Sequence, residues 1–221
     1  MPLTIDDTKI NELKLAPNLP DVVQELQLFL ADEQQRREAF LNNLDDNVKA
    51  EFIEGKIVLN SPAKRKHYLA VGNLFKLLNI FVEVHNLGEV ATEKVLIHLT
   101  RNDFEPDIVF FSNEKVQNFD ANTMLHPAPD FVVEVLSSST ERTDRGVKFE
   151  DYANHHIKEY WIIDPDTEMV EQYLLQKSRK YELHLKSGTG EISATMVSGF
   201  SIPVRAIFDK ETNMQVLKSL L

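Results

Sequence analysis

The stretch that decides the fold is Asp130-Phe131-Val132-Val133-Glu134-Val135-Leu136, the run DFVVEVL. Its β-branched and aromatic residues are typical of a strand that is buried on both faces of a sheet. Glu134 interrupts the run, and a carboxylate in an apolar strand is costly unless it pairs with a cation or binds a metal. The run therefore predicts a central strand and also a partner for Glu134.

Signals on both sides of this strand predict an α/β fold. The residue patterns indicate helices at about 20–46, 64–85 and 144–154, and a hairpin at 51–59 that turns at Glu54-Gly55. They indicate further strands at about 93–99, 107–111, 159–165, 170–175, 180–185 and 191–196. This order predicts a mixed central sheet flanked by helices, with N-terminal helices and a C-terminal β-meander.

The length and composition favour one intracellular domain. With 221 residues the chain suits a single domain over residues 31–221, preceded by a helical extension over residues 1–30. The absence of cysteine excludes a disulfide framework, a cysteine zinc site and thiol catalysis. We find no signal-peptide pattern and no apolar run of the roughly 18 residues that a membrane span requires. We therefore expect a cytoplasmic protein without a membrane partner.

The charge distribution sets a limit on nucleic-acid binding. A net charge of −11 counts against tight non-specific binding to a phosphate backbone, which depends on Lys and Arg. One basic segment, Lys64-Arg65-Lys66-His67, stands at the start of a predicted helix. It is either a solvated helix start or a local patch, and the sequence leaves both interpretations open.

Two carboxylates mark the candidate site. Asp107 opens the apolar strand PDIVFF, and Glu134 lies inside the next central strand, so neighbouring strands would bring both acids to one edge of the sheet. Carboxylate oxygens suit a hard cation such as Mg²⁺ or Mn²⁺, which keeps waters and binds substrate phosphate. Two alternatives stay open, a turn role for Asp107 after Pro106 and a salt bridge between Glu134 and a lysine.

Lys148 is the candidate cation of the site. Helical spacing places Asp144, Lys148 and Tyr152 on one face. A lysine near a metal-bound water can help orient or deprotonate it, and it can neutralise charge that develops on phosphate. The alternative is a surface ion pair between Asp144 and Lys148, which would contribute little to stability.

Three segments together resemble the Uma2 family, also called DUF820, which is abundant in cyanobacteria and belongs to the PD-(D/E)XK nuclease superfamily. They are EFIEGKIVLNSPAKRKH at 51–67, PDIVFF at 106–111 and PDFVVEVLSSSTERTDRGVKFEDYANHHIKEYWIIDP at 129–165. The similarity extends from roughly Ala31 to Phe208. It implies a restriction-endonuclease-like core with Mg²⁺ or Mn²⁺ bound by Asp107 and Glu134.

The resemblance also implies roles for three further residues. The superfamily usually carries its lysine two residues after the second acid, where this chain has Leu136, whereas Uma2 members carry it on the following helix, where this chain has Lys148. Glu51 and His67 match two further family positions near the site, and Glu51 there would hold a second ion or orient a water. For His67 the alternative is a helix cap or a phosphate contact, which is the more common role of a lone histidine at a helix start. The family's LSPST is LSSST here, because Ser138 replaces a proline.

These observations predict a metal-dependent endonuclease that hydrolyses phosphodiester bonds, with DNA as the favoured substrate. Nucleases of this fold often work as dimers, so a homodimer stays open. The alternative from another class is a non-catalytic binding or regulatory module on a nuclease scaffold. A glycoside hydrolase with two carboxylates would explain neither the lysine nor the Pro-Asp context.

Overall fold

The computed structural model of the chain describes residues 7–45, 48–92 and 94–220. Residues 1–6 of the predicted extension and Glu93, the predicted start of a strand, lie outside these ranges. Eight helices lie within them, namely α1 (Asp7–Leu15), α2 (Leu19–Asn42), α3 (Arg65–Val84), α4 (Asn113–Val116), α5 (Glu141–Asp144), α6 (Val147–Asn154), α7 (Arg205–Phe208) and α8 (Lys210–Leu220). None of these combines the length and apolarity that crossing a membrane requires.

Thirteen strands lie in the same described ranges, and two mixed sheets contain most of them. They are β1 (Ala50–Ile53), β2 (Lys56–Leu59), β3 (Gly88–Thr92), β4 (Leu96–His98), β5 (Asp103–Phe104), β6 (Ile108–Ser112), β7 (Leu125–His126), β8 (Phe131–Val135), β9 (Glu159–Asp164), β10 (Met169–Leu175), β11 (Tyr181–Ser187), β12 (Glu191–Ser193) and β13 (Ser201–Pro203). The small sheet has the order β2-β1-β5-β4-β7, and the large sheet has the order β11-β10-β9-β8-β6-β3. The pairs β4–β7 and β8–β9 are parallel, whereas the other pairs are antiparallel. The predicted α/β architecture is confirmed.

Strand β8 lies inside the large sheet, between β6 and β9, and all five of its residues are buried. Side chains alternate across a strand, so Phe131, Val133 and Val135 pack in the core that includes α3. Val132 packs in the opposite core, together with Tyr152 of α6. Glu134 shares the face of Val132, and this alternation directs its carboxylate towards α6.

The predicted hairpin is formed by β1 and β2. Its two turn residues, Glu54 and Gly55, have φ angles of 48° and 77°. Two consecutive positive φ angles are the signature of the tight turn that best matches the twist of paired strands. The hairpin is thereby confirmed, and it brings Glu51 of β1 into the small sheet.

Several elements differ from the sequence-based expectations. The single helix predicted over 144–154 is divided into α5 and α6 at Gly146, where a Cβ atom would lie 2.7 Å from the Arg142 carbonyl oxygen. β9, β10 and β11 form the expected meander, but β12 leaves it and pairs with β13. The chain then ends in α7 and α8, which the alternation of the preceding strands did not indicate.

Helix α2 is attached to the small sheet by buried charges. The Arg37 guanidinium donates to both carboxylate oxygens of Asp103, at 2.6 and 2.7 Å, and to the Leu99 carbonyl oxygen at 2.6 Å. Arg37 and Asp103 are both buried, so this paired geometry compensates two charges that have left water. The boundary predicted after residue 30 falls inside α2 and stays a prediction.

Candidate active site

Glu134 has two protein partners. Its Oε1 atom accepts hydrogen bonds from Lys148 Nζ at 2.9 Å and from the Tyr152 hydroxyl at 2.8 Å. Only 3% of Glu134 is exposed. The salt bridge that the sequence left open as an alternative is therefore present, and it satisfies one of the two carboxylate oxygens.

One lysine ammonium lies among three carboxylates. Lys148 Nζ is 2.9 Å from Glu51 Oε1, 2.9 Å from Glu134 Oε1 and 3.3 Å from Asp144 Oδ1. Only 3% of Lys148 and 1% of Asp144 are exposed. The interpretation of Asp144 and Lys148 as a surface ion pair is therefore wrong, because both side chains are buried. We call Glu51, Glu134, Asp144 and Lys148 the lysine cluster.

The register of β6 and β8 brings Asp107 to the same site. Ile108 pairs with Val133 in these antiparallel strands, so Asp107, one residue earlier, lies across from Glu134. Its Oδ2 atom accepts a hydrogen bond from the Val135 amide at 2.8 Å. The two strands are thus neighbours, as the metal hypothesis required.

Two further side chains contact Asp107. His67 Nε2 of α3 lies 3.2 Å from Asp107 Oδ2, and Lys49 Nζ donates to Asp107 Oδ1 at 3.1 Å. The resemblance named His67 as a position near the site, with a helix cap or phosphate contact as the alternative, and its contact in this structure is the carboxylate of Asp107. Asp107 therefore does more than open a turn.

Glu51 joins the small sheet to the lysine cluster. Its Oε1 atom accepts the Glu105 amide at 2.9 Å in addition to facing Lys148. Its Oε2 atom accepts a longer hydrogen bond, 3.4 Å, from the side-chain amide of Asn60. These contacts fix the Glu51 carboxylate beside Glu134, where the resemblance placed it. By contrast Leu136, at the usual lysine position of the superfamily, is buried and apolar.

The predicted site residues share a cavity of about 680 Å³, which Lys49, Lys64, His67, Asp107, Glu134 and Lys148 line together with the 137–140 loop. Glu51 lines a smaller adjoining cavity with Lys148 and Asp144. Of the basic segment, Lys64 and His67 reach the large cavity, whereas Lys66 pairs with Asp166. Whether this segment acts as a local basic patch or is only a solvated helix start stays a prediction.

Burial and neighbouring charges move the ionisation equilibria of the site. Burial raises the pKa of Glu134 to about 8; Lys148 opposes this shift, and the nearby Asp144, Asp107 and Glu51 charges reinforce it. Burial also disfavours charge on Asp107, but the hydrogen bond from His67 and the charge of Lys49 outweigh it and hold that pKa well below its ordinary value. The pKa of Lys148 lies well above its ordinary range because Glu134 and Glu51 outweigh the effect of burial. Lys148 is therefore a permanent cation.

The donor set fits a divalent cation with few protein ligands. Four buried carboxylates surround the site, whereas Lys148 and Lys49 supply two permanent positive charges. Asp144 Oδ1 is buried and accepts no hydrogen bond from the described residues. Nowhere in the described ranges do three or more His, Cys, Asp or Glu side chains form a group that could hold a metal. Mg²⁺ typically uses one or two carboxylates, with water and substrate phosphate as its other ligands, and Asp107 and Glu134 match that mode.

Sequence reasoning missed Lys49 as a site residue and did not assign Asp144 or Tyr152 to the site. Asp144 and Tyr152 share the helical spacing of Lys148, so their placement on its face was available from the sequence. Lys49 belongs to no periodic pattern, since it lies in the loop before β1 and reaches Asp107 across 58 positions of the chain. Only the docking of the small sheet onto the large sheet brings it there.

Comparison with known proteins finds a family and a solved structure to which this chain is similar. The sequence model of the Uma2 family, described as "Putative restriction endonuclease", matches residues 33–205. The uncharacterized protein sll1609 of Synechocystis sp. is 28% identical over 137 residues, which cover 61% of this chain and 77% of that protein. A crystal structure described as "a putative nuclease belonging to DUF820", from Anabaena variabilis ATCC 29413, matches with a TM-score of 0.67 and 21% identity. The match covers 76% of this chain and 94% of that chain, which shows a shared fold.

Proposed function

The chain belongs to the Uma2 family, and from that membership together with its buried site we propose that it is a divalent-metal-dependent endonuclease that hydrolyses phosphodiester bonds in DNA. The observation that carries the proposal is that Asp107, just before β6, lines one cavity together with Glu134 of β8 and Lys148 of α6. A set of two acids and a lysine suits the handling of a phosphate, which is negatively charged and gains charge density at its oxygens during hydrolysis.

Asp107 and Glu134 are the residues that would hold the cation. Both donors to Glu134 contact Oε1, and the described hydrogen bonds leave Oε2 for a ligand in the cavity. A divalent cation bound there would supply Lewis-acid chemistry, lowering the pKa of a water and neutralising charge on phosphate. The excess of carboxylates over cations in the site supports this role.

Lys148 acts as a fixed positive charge in this proposal. Burial alone would lower its pKa, but Glu134 and Glu51 outweigh burial and raise it in the metal-free protein, which favours the protonated form. It holds the carboxylates of Glu51 and Glu134 at 2.9 Å, and it contributes positive potential to the cavity in which the phosphate would lie. Glu51, whose carboxylate accepts the Glu105 amide, would orient a water in this proposal.

A non-catalytic module for binding or regulation is the second candidate function. One observation favours it, because Asp107 and Glu134 are already paired with Lys49 and Lys148. A binding module would tolerate the loss of the acids, whereas a nuclease would not. The two candidates therefore differ in the effect of neutral substitutions at Asp107 and Glu134.

The test is a cleavage assay on single-stranded and double-stranded DNA and on RNA, with Mg²⁺, Mn²⁺ or EDTA. We expect metal-dependent cleavage of DNA by the wild type and at least a hundredfold loss in Asp107→Asn and Glu134→Gln. Glu182→Gln, a neutral substitution at an exposed acid of β11, is the matched control and should cleave normally. Calorimetric titration with Mn²⁺ should show weaker binding to Glu134→Gln. Equal cleavage by folded wild type and both acid variants would leave the binding module as the better explanation.

A further inference from the structure

Lys49 occupies the position next to Asp107 that a bound cation would need. Its ammonium lies 3.1 Å from Asp107 Oδ1, and its side chain keeps 28% of its surface exposed to the cavity and solvent. On the other oxygen, Oδ2, Asp107 receives the Val135 amide and lies near His67 Nε2. Oδ1 is therefore the oxygen whose only partner among the described residues is a flexible, exchangeable side chain.

The backbone around Lys49 is fixed, so only its side chain is free to change partner. The Lys49 carbonyl oxygen accepts the Asn60 amide at 3.0 Å, and the next amide, of Ala50, donates to Glu105 Oε2 at 3.0 Å. On the other side Lys94 Nζ donates to the Val48 carbonyl oxygen at 2.9 Å. A lysine stem with four methylenes can move its ammonium by several ångströms from such a fixed base.

A divalent cation on Asp107 would repel this ammonium. Two positive charges at contact distance repel strongly in a poorly hydrated site, and the divalent ion carries twice the charge of Lys49. The displaced ammonium would remain within the same cavity, which Lys64, His67 and Lys148 also line. The anion brought there by the proposed reaction is the substrate phosphate.

We propose that Lys49 is an exchangeable counter-ion: it neutralises Asp107 in the metal-free protein and moves to a phosphate oxygen of the substrate when the metal binds. This inference rests on the proposed metal-dependent function. It assigns to one residue two effects of opposite sign, since Lys49 competes with the metal but assists the reaction. A lysine that only stabilises the fold would not produce this combination.

Lys49→Met tests the proposal, because methionine keeps an apolar stem of similar length without the charge. We expect the variant to bind Mn²⁺ about tenfold more tightly than the wild type in calorimetric titration, since a charged hydrogen bond no longer has to be broken. At saturating Mn²⁺ we expect single-turnover cleavage to fall by about tenfold or more, since one phosphate contact is lost. Lys49→Arg should restore much of the cleavage.

Lys64→Met is the matched control. Lys64 lines the same cavity but makes no ion pair in the described part of the chain, so its loss should leave the affinity for Mn²⁺ unchanged. Thermal melting without metal should show that each variant is folded. Comparing the Mn²⁺ affinities of Lys49→Met and Lys64→Met separates competition at Asp107 from a general loss of positive charge in the cavity.

The outcomes distinguish this inference from the function on which it rests. Equal Mn²⁺ affinity of wild type and Lys49→Met would overturn the competition, and tighter binding with unchanged cleavage would overturn the phosphate contact. If neither protein binds Mn²⁺, the metal-dependent function itself fails. The exchange is supported if Lys49→Met binds Mn²⁺ more tightly and cleaves more slowly than the wild type, and if Lys64→Met does not show this combination.

Discussion

Glu134 Oε1 and Lys148 Nζ lie 2.9 Å apart in the interior of the protein, in an ion pair that joins strand β8 to helix α6. The pair explains how an apolar central strand can contain a carboxylate, because a buried charge needs an opposite charge and hydrogen bonds. It does not make the site neutral, since Glu51 and Asp144 share the same ammonium. The predictions for Lys148, Glu134 and Asp107 depend on this crowding of carboxyl groups around few cations.

Replacing Lys148 by methionine should destabilise the protein strongly. The substitution leaves three buried carboxylates without their shared cation, and breaking a buried ion pair from one side typically costs about 3–5 kcal/mol. Urea denaturation at pH 7.5 measures the change in the free energy of unfolding. Adding Glu51→Gln to this variant should recover part of the loss, because it removes one of the carboxylates that Lys148 had compensated. A fully stable Lys148→Met protein would contradict the buried geometry.

The metal-free protein should become less stable between about pH 5 and pH 8. Burial raises the pKa of Glu134 from its ordinary value of 4.5 to about 8, so in this range the folded protein holds a proton that the unfolded chain has released. Stability falls with pH wherever the folded state binds more protons, and this contribution is flat above the folded pKa. Melting temperatures in EDTA across this range provide the measurement. Glu134→Gln should flatten the profile, and an unchanged slope would assign the proton to another group.

Neutralising Asp107 should lower the stability of the metal-free protein. Asp107→Asn removes the ion pair with Lys49 and the contact with His67, and a hydrogen bond to a charged group contributes about 1.5–3 kcal/mol. Because the pKa of Asp107 is lowered from 3.8, its contribution is complete above that pH and is lost as the pH falls further. Acid titrations followed by circular dichroism should therefore show wild type and variant converging in stability below pH 3.8. A variant that is more stable than the wild type at pH 7 would mean that repulsion from Glu134 outweighs these contacts.

A methyl group at position 146 should disturb the lysine cluster from outside it. Gly146→Ala would place its Cβ atom 2.7 Å from the Arg142 carbonyl oxygen, so the junction of α5 and α6 has to open and Lys148 moves with it. We expect a loss of about 1–3 kcal/mol in unfolding free energy, the usual cost of overpacking. Gly72→Ala is the control, because a Cβ atom there meets nothing within 4 Å and alanine stabilises a helix interior. Equal stability of the two variants would contradict the close approach at Gly146.

The sequence predicted most strands of the large sheet and the acids in them. It predicted only part of the small sheet. Phe131 to Val135 form an apolar run that only Glu134 interrupts, and such runs favour a central strand. β5 and β7 have two residues each, which is too short for any periodic pattern, and β3 carries no alternation that separates it from a loop. These strands exist because their neighbours pair with them, which is information that local sequence does not contain.

The candidate site was also only partly predicted from the sequence. The strand patterns predicted Asp107 and Glu134 as site residues, and helical spacing together with the family resemblance added Lys148. The burial of Lys148 and the contact between Lys49 and Asp107 did not follow, because both depend on how the two sheets dock. Charged residues carry no periodic signal of burial, so their pairing becomes visible only in three dimensions.

Lys148 contacts Glu51 of the small sheet and Glu134 of the large sheet at equal distances of 2.9 Å. Neither sheet contains the cluster by itself, because Glu51 belongs to the small sheet and Glu134 to the large sheet. The complete electrostatic environment of the site therefore depends on the contact between the two sheets. The titration of Glu134 should accordingly report whether the two sheets are docked.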